Sequence, residues 1–248
     1  MDVLKFSLKG RTAFFKKPEV NTYLSFTYGN IHKVALIGLL GAIRGYDGYA
    51  AMDKEKDPYP AFYQKLKNLQ CAIVPTNPNG VARKKVQQFN NSVGYASSES
   101  GGNLIVKEQW LEKPSWDIYI LLDQEEAFQI AEDLLARRCV YIPYLGKNDH
   151  PADIEKVEIL KDCKIAQDYQ RLDSLYLKQK ARYEALEEEE EDDDEEEIAL
   201  FKYEENLPVA LHPETQMYQS ECMVYTNFPV NRYEGDVYKI QQRNLVFF

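Results

Sequence analysis

Residues 9–46, KGRTAFFKKPEVNTYLSFTYGNIHKVALIGLLGAIRGY, join a basic, aromatic loop directly to a helix that is apolar on nearly every side. Just before the loop, Leu4, Phe6 and Leu8 alternate with Lys5, Ser7 and Lys9, the period of a strand with one buried face and one wet, basic face. In the helix, Val34, Leu36, Ile37, Leu39, Leu40, Ala42 and Ile43 leave no clean polar stripe, so it is expected to be covered on both sides. Gly38 and Gly41 permit close backbone approach there. A strand therefore runs into a buried helix, and the loop between them sets cations beside flat rings, as a nucleic-acid surface requires.

Downstream, Phe62, Leu66 and Leu69 stand at helical spacing within polar residues 53–70, and residues 71–74 read as a buried strand. Residues 75–102 contain the turn TNPNG, a basic strand and a small, flexible stretch, the pattern of a projecting hairpin. Residues 104–111 and 116–122 predict two strands joined by a short turn. Asp123 and Glu126 have capping-box spacing ahead of an amphipathic helix on Ala127, Phe128, Ile130, Ala131, Leu134 and Leu135, which ends at Arg137 and Arg138. Residues 139–144 then predict a returning strand. This order matches the split βαβ plan of ferredoxin-like domains, an α+β fold shared by many functions. Residues 162–186 step by fours and threes through Ile165, Tyr169, Leu172, Tyr176, Tyr183 and Leu186, predicting a long helix. The expected organisation is a palm over 1–150 with a thumb hairpin at about 81–107, then a smaller β-rich lobe over 151–248.

The net charge of −10 is dominated by residues 187–197, an unbroken run of eleven acids; without it the chain carries +1, and the body has room for basic patches. Such a run predicts a solvated, disordered spacer, with cation binding or nucleic-acid mimicry as the alternative. Cys71, Cys139, Cys163 and Cys222 are far apart and form no CxxC pair, so they read as reduced, mostly buried thiols. The longest apolar stretch, residues 34–43, is far short of the roughly 20 needed to cross a bilayer. With no signal-peptide pattern at the start, the expected location is the cytoplasm, with no membrane partner.

Arg11, Lys16, Lys17 and Lys33 interleave with Phe14, Phe15, Tyr23, Phe26 and Tyr28, pairing cations for phosphates with rings for unpaired bases. The alternative is that the phenylalanines are core and the lysines only solubilise. Arg83, Lys84 and Lys85 form a second cluster on the hairpin, near Asn90, Asn91, Ser92 and Tyr95, with a solvated turn as its plainer reading. Gly38-Leu39-Leu40-Gly41 has GxxG spacing, but helix packing explains its central leucines better than phosphate clamping. Neither GxGxxG nor a P-loop is present, and the three histidines lack metal-ligand spacing, so no cofactor or metal is expected. A Tyr28, His32, Lys33 group could activate a ribose 2′-OH, weighed against a packed or phosphate-binding His32.

The opening stretch, GLLGAIRG on the first helix, EQWLEKPSWDIY at 108–119, YIPYLGKNDHPADI at 141–154, ENLPVAL at 205–211 and the terminal NLVFF together resemble the Cas five family of CRISPR-associated proteins, in the RAMP superfamily. Within it, the type I-B branch is the most similar. The resemblance implies a ferredoxin-like palm with a thumb hairpin, serving as a subunit of a type I antiviral effector complex (Cascade) that caps the 5′ handle of the guide crRNA. It maps the palm face to Lys9, Arg11, Lys16, Lys17, His32, Lys33 and Arg44, with Phe14, Tyr28 or Tyr95 stacking a base and Arg83 to Lys85 on the thumb. Implied partners are the backbone and large subunits and, through the assembled complex, target DNA, with sequence read by base pairing. One branch of the family cleaves precursor RNA without metal, using tyrosine, lysine and histidine. Its histidine and lysine find no match in the later part of this chain, so a binding subunit is expected and an endoribonuclease is the alternative. Residues 162–197 depart from the family's compact pattern.

Overall fold

The computed structural model describes residues 1–19, 23–53, 56–92, 94–95, 98–183 and 199–248. In chain order the elements are β1 (Val3–Lys9), β2 (Thr12–Ala13), α1 (Lys33–Arg44), α2 (Ala61–Leu66), β3 (Cys71–Pro75), β4 (Arg83–Asn90), β5 (Ile105–Glu112), β6 (Ser115–Leu121), α3 (Glu125–Leu135) and β7 (Asp153–Leu160). After them come β8 (Lys164–Ile165), β9 (Tyr176–Leu177), β10 (Ala181–Tyr183), β11 (Lys202–Leu211), β12 (Tyr218–Thr226), β13 (Val230–Tyr233), β14 (Val237–Ile240) and β15 (Arg243–Val246).

The palm is an antiparallel sheet in the order β3-β6-β1-β7, the ferredoxin-like arrangement, with α1 and α3 supplying the two crossovers. Alternation on β1 sets the register, so Phe6 faces Ile118 and Leu8 faces Trp116 on β6, all in the main core. The wet face of β1 is not a basic surface, contrary to expectation. Glu158 and Glu155 on β7 pair with Lys5 and Lys9 at 2.8 Å each, and Ser7 bonds Asp117 at 2.8 Å. The fourth palm strand is β7, whereas residues 139–144, expected to fill that place, form no strand. Their backbone is taken by the end of α1, where Val140 and Tyr141 donate to the carbonyls of Ile43 and Ala42.

α1 starts on His32, whose Nδ1 accepts the Ala35 N–H at 3.2 Å, and ends at Gly45 with φ of +73°. A Cβ on Gly41 would meet the Phe62 Cβ of α2 at 2.6 Å, so the GxxG spacing serves helix packing. α3 is capped by Gln124 without a side-chain bond, not by Asp123; Glu126 turns instead to the Tyr46 hydroxyl and Lys65. β4 and β5 form the thumb hairpin, and β2 joins its root to make a separate three-stranded sheet. The turn between β5 and β6 therefore links two sheets instead of pairing the two strands.

The C-terminal part is β-rich. The β11–β12 hairpin lies over α1, adding Leu207, Leu211 and Met223 to the main core, while Ile240 and Leu245 of the β8, β14, β15 sheet cover Val3, Val74 and Tyr119 on the opposite face of the palm. The long helix expected over residues 162–186 is absent from its described part, which holds β8, β9, β10 and one 3₁₀ turn at Lys178–Lys180. Much of its bonding runs to distant strands: the Asp173 N–H donates to the Asn244 carbonyl of β15, and the Ser174 hydroxyl donates to the Val246 carbonyl and accepts its N–H. Of the five residues 172–176, four are buried, Leu172, Ser174, Leu175 and Tyr176. The acidic run, residues 187–197, lies outside the described residues. Of the cysteines, Cys71 and Cys163 are buried, Cys222 is half-buried and Cys139 is exposed.

The contact of Gly41 with Phe62 gives a direct test. Gly41→Ala should destabilise by about 1–3 kcal/mol through overpacking, whereas at Gly38, where the nearest atom would lie 3.7 Å away, alanine should be neutral or stabilising by up to about 1 kcal/mol. Urea unfolding of both variants measures the difference.

Candidate nucleic-acid interface

A cleft of about 820 Å³ runs along α1 beside its cap His32, within the ~300–1,000 Å³ usual for ligand sites. Lys16, Phe14 and His32 line it from the basic loop and helix cap, joined by Tyr49, Tyr141, Tyr144 and Tyr218 from distant segments. All four of these tyrosines are partly exposed, though Tyr49 stands edge-on to Phe62 and Tyr218 edge-on to His32. Tyr28 and Tyr218 each lie with their ring centroids 5.2 Å from that of His32.

The thumb root closes one side. Lys147 bonds both carboxylate oxygens of buried Glu108 at 3.1 and 3.3 Å, and its ammonium lies over the rings of Phe14 and Phe89. Glu108 also accepts from Trp110 Nε1 at 2.8 Å within β5, and its bonds from Lys147 tie β5 to the loop after residue 144. In that loop Gly146 has φ of +90°, and any Cβ there would collide with the Phe14 carbonyl, so only glycine lets the loop lie against the aromatic strand. His150 is buried beside it, with Nδ1 2.6 Å from the Thr12 hydroxyl, its ring perpendicular to Trp110, and Nε2 without a partner among the described residues.

The expected RNA-contacting residues divide by environment. Arg11, Lys16, Arg83 and Lys84 are exposed and have no acid partner among the described residues. Lys9, Lys17 and Lys85 are ion-paired to Glu155, Glu205 and Glu112. Glu205 organises the basic loop, because it also accepts from the Gly29 N–H at 2.7 Å and the Tyr203 hydroxyl at 2.6 Å. Tyr95 is exposed near the thumb tip, whereas Phe14 and Tyr28 are buried in the protein.

Arg44 and Lys33 stand apart from the cleft. Arg44 ties α1 to α3 through Asp133 and Gln129. Lys33 is buried at the first position of α1 near the Cys71 thiol, and desolvation lowers its pKa. Burial holds His32 down at about 3 and pushes Tyr28 up to about 12, so both are neutral at pH 7. Sequence reasoning missed Tyr49, Tyr218 and Lys147; Tyr141 and Tyr144 were visible only as part of the YIPYL stretch, without a role.

No family model matches the sequence. No curated protein matches it either. Solved structures do: the chain is similar to a chain of a CRISPR RNA-guided surveillance complex over 91% of its own length and 90% of that chain, with 14% sequence identity and a TM-score of 0.50. It is also similar to a CRISPR protein from Archaeoglobus fulgidus over 99% of its length and 98% of that chain, at 9% identity and a TM-score of 0.47. The first likeness identifies the fold as one that occurs in a CRISPR surveillance complex. No helix among the described residues is long and apolar enough to cross a membrane.

The buried His32 makes stability depend on pH. An unfolded histidine titrates near 6.5 and takes up a proton that the folded ring refuses, so stability present above that pH is lost as pH falls through the window down to about 3. The slope is about 1.4 kcal/mol per pH unit per such group, and His150, also lowered by burial, adds in the same direction. His32→Asn keeps a capping side chain and should lose less stability than the parent between pH 7 and 5, read by urea unfolding at both pH values.

Proposed function

We propose that this protein is an RNA-binding, non-catalytic subunit of a type I CRISPR effector complex, of the Cas five family and the I-B branch, which holds the 5′ handle of the crRNA. The observation that carries the reading is the cleft beside α1, where partly exposed tyrosine rings and Lys16, without an acid partner among the described residues, stand around the helix cap His32. Single-stranded RNA needs such a combination: π-faces for splayed bases, and cations for phosphates. Arg11 at the palm edge and Arg83 and Lys84 on the thumb extend the cationic track, and Tyr95 offers a further ring near the thumb tip. The similarity in fold to a surveillance-complex chain supports the same reading. Backbone and large subunits would flank the protein, and target DNA would reach it through the assembled complex.

Binding is favoured over cleavage by the state of the expected catalytic group. His32 spends Nδ1 on the helix cap and is a weak base, the Tyr28 phenol resists ionisation, and Lys33 does not line the cleft. In a gel assay with labelled repeat RNA in EDTA, retention without a discrete cut is expected; a discrete cut would make this the processing enzyme. Lys16→Ala should lower the salt slope of binding by about 0.7, and Tyr141→Ala should cost about 1–3 kcal/mol if its ring stacks on a base. Unchanged affinity in both variants would move the RNA elsewhere.

A further inference from the structure

Residues 139–144 form a wall between two clefts. Tyr141 and Tyr144 line the aromatic cleft, while Cys139 and Pro143 line a second groove of about 550 Å³ on the other side. The wall is rigidly held: Val140 and Tyr141 donate to the end of α1 at 2.9 and 3.1 Å, and Ala152 donates to the Pro143 carbonyl at 3.1 Å. Yet Val140, Tyr141 and Ile142 are 64%, 56% and 78% exposed. A pinned backbone that presents branched apolar side chains to water is the signature of a surface covered by something else.

The groove beside this ridge has a floor of Ile43, Leu134, Leu135, Ile154 and Val157. Leu135 is itself half-exposed, and Phe128, two turns earlier on the same stripe of α3, extends the apolar strip. On the rim stand Arg137 and Lys156, each at φ of +52° and neither with an acid partner among the described residues. A left-handed conformation is costly for both residue types. Arg138 is held by Asp133 at 3.1 Å, and the one acid of the rim, Glu155, is committed to Lys9.

We propose that this ridge and groove dock another protein, through a segment that lays apolar side chains on the floor and sets carboxylates against Arg137 and Lys156. Charge complementarity selects this occupant. A two-fold pairing with a second copy would bring the same cations face to face, and on the groove side the apolar surface is aliphatic apart from Phe128, which leaves nucleic acid little to stack on. The inference does not require that the protein bind RNA.

The test uses the full-length protein and two labelled synthetic helical peptides with an identical Leu/Phe stripe, one flanked by glutamates and the other by lysines. Fluorescence anisotropy should show the glutamate peptide binding at least about tenfold more tightly. Ile142→Asp, at an exposed position, should weaken it by about tenfold or more, and the double variant Arg137→Glu, Lys156→Glu should reverse the preference between peptides, with RNA retention unchanged throughout. Equal binding of the two peptides, or indifference to Ile142→Asp, would overturn the proposal. So would displacement of the glutamate peptide by single-stranded RNA, or a dimer in sedimentation that Ile142→Asp dissolves, since these would give the groove to nucleic acid or to a second copy.

Discussion

The burial of α1 on nearly every side is the constraint from which the rest of the structure follows. A helix without a polar stripe must find apolar cover nearly all round, and here the palm sheet, α2 and the β11–β12 hairpin supply it. The approach of Phe62 to Gly41 brings α2 close enough for the Tyr63 hydroxyl to accept the Leu211 N–H at 2.8 Å, so one contact draws in a strand far along the chain. Leu207, Leu211 and Met223 accordingly complete a core begun by β1 and α1.

The aromatic cleft runs along the strip of α1 left partly open, lined by Val34, Ala35, Gly38 and Leu39, beside its buried cap His32. Its rings come from the basic loop, the segment after α1, the wall at 139–144 and β12. His32 joins the two levels of organisation: it caps the helix through Nδ1 while its ring packs among Phe15, Tyr28 and Tyr218. A histidine placed so deeply stays neutral, which suits a structural cap better than a proton shuttle.

Charge is arranged by register and not by composition. β7 brings Glu155 and Glu158 against the lysines of β1, and β11 brings Glu205 to Lys17, so several cations of a sequence-basic region are already neutralised. Exposed cations without an acid partner among the described residues include Arg11 at the palm edge, Lys16 in the cleft, Arg83 and Lys84 on the thumb, and Arg137 and Lys156 on the rim of the second groove. The wall at 139–144 separates a tyrosine-rich cleft, lined by Lys16 and Lys147 together with Asp47 and Glu108, from an apolar groove rimmed by Arg137, Arg138 and Lys156.

The alternation of β1, the apolarity of α1 and the strand-helix order of the palm up to α3 were legible in the sequence, because each is a local pattern that neighbouring side chains impose on the backbone. Long-range partners decided the rest. Residues 139–144 carry strand-like composition but spend their N–H groups on the end of α1, leaving the fourth palm position to β7, whose glutamates match the lysines of β1. Residues 164–183 carry helical spacing but bond β15 and β13 instead. In the site, the basic loop and His32 could be named from sequence, whereas the gathering of Tyr49, Tyr141, Tyr144 and Tyr218, and the loss of Lys9, Lys17, Lys33 and Arg44 to ion pairs or burial, depend on contacts between residues far apart in the chain. Periodicity reports which side of an element is buried, and only tertiary packing determines what it is buried against.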